Sequence, residues 1–159
     1  MTGLTGIPSA VGIASIGQIP STATNDAAAA GKVGEVISSD IPSSSSITVA
    51  SNTATNITSI SLTAGDWDVS GTIATAATAT ILYLVGGASG TTGTLPAREL
   101  GVALNYSAAP GTNADNSYAL PVVRFSLAST TSVFLVVQQG STGSSALNIY
   151  GYIFARRSR

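Results

Sequence analysis

Residues Ser59–Ile73 read SISLTAGDWDVSGTI, and this stretch decides the fold class. Ile60 and Leu62 alternate with Ser59, Ser61 and Thr63, the period-two pattern of a half-buried strand. Ala64-Gly65-Asp66 supplies turn chemistry, because glycine takes backbone angles that other residues avoid. Beyond the turn, Trp67, Val69, Gly71 and Ile73 share one face, while Asp66, Asp68, Ser70 and Thr72 share the other. The pattern predicts two short strands joined as a hairpin, with the single tryptophan packing into a sheet and Asp66 and Asp68 on a solvated face.

The same punctuation recurs along the chain. Strands are expected near 33–38, 46–50, 56–62, 66–73, 80–85, 99–105, 118–128, 132–138 and 146–155, separated by loops such as 86–96, 107–116 and 140–145. No segment shows sustained helical periodicity. Eight or nine short strands at this spacing indicate an all-β antiparallel sandwich of jelly-roll type. The run VFLVV within 132–138 is apolar on both faces, and a strand buried on both faces needs cover on both. In a lone two-layer sandwich the second cover would come from another chain, so Phe134 and Val136 are expected in subunit contacts.

Residues 1–31 differ in kind. They are rich in Gly, Ala, Ser, Thr, Ile and Pro and carry no charge before Asp26. Leu4, Ile7, Val11, Ile13, Ile16 and Ile19 are spaced without period, and Pro8 and Pro20 block a regular helix. Such a segment suits an extended arm that docks on a neighbouring protein, ahead of a β-domain over 32–159.

Composition narrows the function. The chain has 159 residues, 44% hydrophobic and only 8% charged, with a formal net charge of −1. Ordinary soluble domains carry roughly 25% charged residues. So little charge points to a surface that other subunits cover. With neither histidine nor cysteine, the chain offers no base for a serine nucleophile and no ligands for a zinc site. Its carboxylates are scattered, and GGASGTTG (86–93) lacks the lysine and helix of a phosphate loop. No enzymatic activity and no cofactor are expected. One lysine and five arginines, three of them in the last four residues, argue against nucleic-acid binding. No apolar run reaches the ~18–20 residues that span a bilayer, and no secretory signal is expected. Arg156, Arg157 and Arg159 are placed to pair with a neighbouring subunit or a platform protein.

Three stretches carry a family resemblance: TNDAAAAGKVGEVISSDIP (24–42), SLTAGDWDVSGT (61–72) and YGYIFARRSR (150–159). Together they resemble small bacteriophage virion proteins of the head-decoration, head-fibre and tail-fibre kind. The resemblance brackets the chain from Thr24 onward, and 74–117 carries no family motif. The strand order also looks like the jelly roll of tumour-necrosis-factor-like trimers, in which the last strand ends near the trimer axis. The resemblance implies a homotrimer with Tyr150 and Tyr152 in an inter-subunit aromatic cluster. It implies a virion location, assembly in the host cytoplasm, and attachment to the major capsid protein or to a tail or collar protein. A head-decoration or head-fibre role stands first. A tail-fibre or receptor-binding protein, whose loops 86–96 and 107–116 touch host surface glycan, and a carbohydrate-binding module are the alternatives.

Overall fold

In the computed structural model, residues 27–76, 81–100, 103–106, 116–141 and 146–159 are described. Nine strands form: β1 (Val36–Ile41), β2 (Ile47–Val49), β3 (Thr55–Leu62), β4 (Gly65–Ala76), β5 (Ile81–Ser89), β6 (Ala103–Tyr106), β7 (Asn116–Leu127), β8 (Thr131–Ser141) and β9 (Leu147–Arg157). The expected strands all have counterparts. The boundaries move where side-chain pattern is a poor guide. The strand expected at 99–105 starts with a 3-10 turn (Arg98–Leu100), and β5 runs on through Gly86 and Gly87 into the expected loop.

The strands make two antiparallel sheets. One has the order β1-β9-β4-β7, with β2 continuing the β1 edge along β9, and the other has the order β3-β8-β5-β6. From β2 onward the chain changes sheet at every connection except β5–β6, and the first strand lies beside the last. This interleaving is the jelly roll.

That topology corrects one expectation. The strands of 59–73 do not pair: β3 belongs to the four-stranded sheet and β4 to the five-stranded one. Thr63 and Ala64 therefore form an arch between layers. Local sequence shows two strands and a tight turn, but partner choice is a property of the whole chain. Leu62 and Trp67, either side of the arch, are both fully buried, because each enters the shared core from its own sheet.

The core is the space between layers. β3 contributes Ile60 and Leu62, β4 Trp67, Val69 and Ile73, β8 Val133, Leu135 and Val137, and β9 Leu147, Ile149 and Ile153. At roughly 25 cal/mol per Å2 of apolar surface, this burial is the main term favouring the fold.

The both-faced apolar run of β8 also resolves differently from expectation. Val133, Leu135 and Val137 face the core, and Phe134 and Val136 face outward. Val136 is nonetheless fully buried within the single chain. The loop after β5 returns over this sheet. Asn56, opposite Val136, donates from Nδ2 to Thr92 Oγ1 (2.6 Å) and accepts from the Gly93 N–H (2.8 Å). Leu95 and Pro96 then wall the surface that also carries Val85 and Gln138. The second cover over Val136 is intramolecular, while Phe134 stays partly exposed. Val136→Asp is accordingly expected to lower stability by about 3 kcal/mol or more whatever the oligomeric state, since it buries an unpaired carboxylate. Urea unfolding at a concentration where the chain is monomeric checks this.

Candidate interaction face and its closing cluster

β9 occupies the middle of the five-stranded sheet, and its two residue parities do different work. Leu147, Ile149, Gly151, Ile153, Ala155 and Arg157 point inward and are buried, while Tyr150, Tyr152, Phe154 and Arg156 point outward. Tyr152 and Phe154 stack with centroids 5.6 Å apart and planes at 21°. Most flanking positions are small, the exception being the exposed carboxylate of Asp40 beside Tyr152 on the β1 side. Register places Ala74 beside Tyr150, Thr72 beside Tyr152, and Ser70 and Ser38 on either side of Phe154. Further out, Ala119 lies opposite Thr72 and Ser117 opposite Ala74. The result is a sheet face of mostly small residues with an aromatic ridge along its second strand and one carboxylate, Asp40, beside the ridge.

Apart from Asp40, the charge described on this sheet gathers at one end. Asp68 lies between Arg156 and Arg124, and Val36, 43% exposed, stands opposite Arg156. Asp66 is buried against two guanidinium groups: Arg124 Nη2 donates to Oδ1 at 2.9 Å and Arg159 Nε donates to Oδ2. Hydrogen bonds from Arg159, then Ser126, then Arg124 hold its carboxyl well below the usual carboxylate range. The expectation of a solvated face fails at Asp66, because Arg159 and Arg124 both reach this one side chain. Its oxygens are committed to cations, so the Asp66–Asp68 pair is a poor start for a metal site.

Arg157 turns the other way, under the arch. Its Nε donates to Glu35 Oε2 at 2.9 Å, its Nη1 to the Ala64 carbonyl at 2.8 Å, and its Nη2 to Thr63 Oγ1. The guanidinium carbon lies 4.2 Å from the Trp67 ring centroid, a cation–π stack. Trp67 Nε1 donates to the Thr63 carbonyl at 2.9 Å, so the indole and the guanidinium brace the same turn. Gly65 makes room: with φ +137°, it would place a Cβ 2.1 Å from Arg157 Nη1. Glu35 also accepts the Gly31 N–H at 2.8 Å. That backbone bond first, and Arg157 second, hold its carboxyl below its ordinary value.

The expected contact residues thus separate. Tyr150, Tyr152 and Arg156 lie on the outer face of the five-stranded sheet. Phe134 lies on the outer face of the opposite sheet, and Val136 is covered there by its own chain. Arg157 is used inside the chain by Glu35 and Trp67, and Arg159 is paired with Asp66. The pairing buries Arg157 within its own chain, whereas Arg159 stays 72% exposed at the surface. Leu4, Ile7, Val11, Ile13, Ile16 and Ile19 lie outside the described residues. Sequence reasoning missed Phe154, which completes the ridge, and the Glu35–Arg157 pair. The alternation of YGYIFARR contains both signals: Phe154 has the parity of Tyr150 and Tyr152, and Arg157 has the parity of Ile153.

The class these observations define is an all-β jelly-roll sandwich with one aromatic, charge-poor outer face. No family model matches the chain, and no curated protein gives a significant match. Among solved structures, a chain in a structure of the infectious bursal disease virus Gx strain is similar over 77% of this chain, with 13% identity and a TM-score of 0.41. The match spans 30% of that chain. The fold assignment rests on the strand pairing above.

Glu35 and Asp66 are both held below their ordinary values of 4.5 and 3.8. Folding therefore favours their ionised forms, and the stability they add is present above those values and drains away as pH falls below them. The thermal midpoint is expected to hold from pH 7 to pH 5 and to drop as pH is lowered past 4.5. Asp66→Asn and Glu35→Gln together should lower the midpoint at neutral pH and flatten that acid limb.

Proposed function

We propose that the chain is a non-enzymatic structural protein of a bacteriophage virion. In this reading it is a homotrimeric jelly roll, head-decoration or head-fibre in role, anchored to the major capsid protein by the arm over 1–31. The observation that carries the reading is the outer face of the five-stranded sheet. The half-exposed ridge of Tyr150, Tyr152 and Phe154 stands mostly among Ser, Thr and Ala side chains, with Asp40 beside Tyr152 and the other charges at one end. Aromatic anchors in a charge-poor surround are what subunit interfaces favour at their cores. The three resembling motifs support the same reading, and one of them, YGYIFARRSR, contains the ridge.

A closed trimer would set three such faces around one axis, with β9 innermost. It would also account for a surface with so little charge. A tail or collar protein is the other attachment point, and locating the chain in an intact virion distinguishes the two. Assembly follows in the host cytoplasm.

Sedimentation at tens of micromolar is expected to give a trimer, with Tyr152→Glu shifting it to a folded monomer because three added carboxylates would crowd those of Asp40 near the axis. A monomeric wild-type chain overturns the trimer. Deleting residues 2–31 is expected to abolish binding to capsids that lack the protein while leaving a soluble trimer. Undiminished binding by the truncated chain overturns the docking arm.

A further inference from the structure

The outer face of the four-stranded sheet carries a groove that the proposed assembly leaves open. Tyr83, Val85 and Gln138 line it from the sheet, and Leu95, Pro96, Ala97 and Arg98 line it from the returning loop. Its volume is about 330 Å3, at the small end of the roughly 300–1,000 Å3 range of ligand sites.

Tyr83 is fixed before any ligand arrives. Its ring lies over Gly140, its partner in the β5–β8 ladder, where a Cβ would stand 2.2 Å from the ring. Its hydroxyl donates to Asn52 Oδ1 at 2.6 Å. Asn52 is itself anchored: its N–H donates to the Gln139 carbonyl at 2.7 Å, and its own carbonyl accepts Gln138 Nε2 at 2.8 Å. It holds a left-handed backbone, φ 60°, which asparagine tolerates. A ring held this way gives up little rotamer freedom on binding. With the hydroxyl occupied, Tyr83 offers the groove mainly carbon surface.

The polar groups are equally specific. Gln138 spends an amide hydrogen on Asn52 and keeps its amide oxygen as an acceptor. Arg98 has no ion-pair partner among the described residues, and no described residue of the groove lining is a carboxylate. A purely apolar ligand would desolvate Gln138 and Arg98 without return. A pyranose has a C–H face for the aromatic ring and hydroxyls for the amide, and an anionic substituent would answer the guanidinium.

We propose that this groove binds a saccharide unit carrying an anionic group, stacked on Tyr83, hydrogen-bonded by Gln138 and paired through its anion with Arg98. The proposal rests on the groove's own geometry and stands whether or not the chain trimerises. Saturation-transfer NMR and titration of the full chain with glucuronate, glucose 6-phosphate and glucose test it. The two charged sugars distinguish a carboxylate from a phosphate ester as the preferred anion. At least one charged sugar is expected to bind more tightly than glucose by about tenfold, the scale of one charge-assisted hydrogen bond. Arg98→Gln, which breaks no ion pair among the described residues, should remove that preference, so that the charged sugars bind no better than glucose does. Tyr83→Ala should weaken all three sugars. If neither charged sugar binds, if the charged sugars bind no better than glucose, or if Arg98→Gln leaves the preference intact, the proposal is wrong.

Discussion

The buried guanidinium of Arg157 ties together parts of the chain that local structure leaves apart. It lies on the last strand, pairs with Glu35 just before the first strand, caps the arch between β3 and β4, and stacks on Trp67. Backbone bonds run alongside: the Gly34 N–H donates to the Arg157 carbonyl and the Arg157 N–H to the Glu35 carbonyl, both at 2.9 Å. In a jelly roll the first and last strands are neighbours, and here their contact is locked by charge as well as by the ladder. Removing one partner of a buried ion pair typically costs about 3–5 kcal/mol, a large fraction of the 5–15 kcal/mol that stabilises a domain. Lysine would not serve. Only a planar fork can meet a carboxylate, a carbonyl and a hydroxyl while lying on an indole. The Asp66 pairs with Arg124 and Arg159 are different, since those arginines are 56% and 72% exposed and solvent screens them.

This lock gives β9 two roles at once. Its inward parity closes the core and ends on Arg157; its outward parity builds the aromatic ridge and ends on Arg156. A one-residue slip would exchange them, burying tyrosines and exposing isoleucines. The position of Arg157 under the arch forbids that slip, because Thr63, Ala64 and Glu35 are matched to a single register. The interaction face is therefore positioned by the same side chain that fastens the termini of the domain.

Much of this was legible in the sequence. The nine strands follow from alternation and turn residues, and the inward face of Trp67, Val69, Gly71 and Ile73 follows from parity. What was not legible was partnership. The turn at Thr63–Ala64 looks like a hairpin because residue types at a tight turn do not encode whether the second strand returns to the first or crosses to the other layer. The outward apolar residues of β8 look like an interface because sequence says that Val136 is buried without saying by what; in the fold its own chain buries it, next to Asn56, to which Thr92 and Gly93 are hydrogen-bonded. Arg157 shows the reverse case. An arginine near the end of a chain invites a solvent or partner reading, yet its parity places it inward, and parity prevails when a carboxylate and an aromatic face are there to receive it.

The sheet edges explain why association, if it occurs, should use a face. Open edges offer unpaired backbone groups to other chains. On one side of the five-stranded sheet the edge is broken into β1 and β2 by the 3-10 turn Ser43–Ser45. On the other side β7 bulges where Val69 and Gly71 meet Val123 and Leu120, with Pro121, which has no N–H to offer, inside the bulge and Val122 68% exposed beside it. In the four-stranded sheet β3 carries a register shift between Asn56 and Thr58, and β6 is only four residues long. Every edge is short, kinked or interrupted, so none is a good template for edge-to-edge pairing. With the edges blunted and most of the charges gathered at one end, the ridge of Tyr150, Tyr152 and Phe154 is the broad surface on which two copies could approach while desolvating little charge beyond Asp40 and leaving no backbone group unpaired.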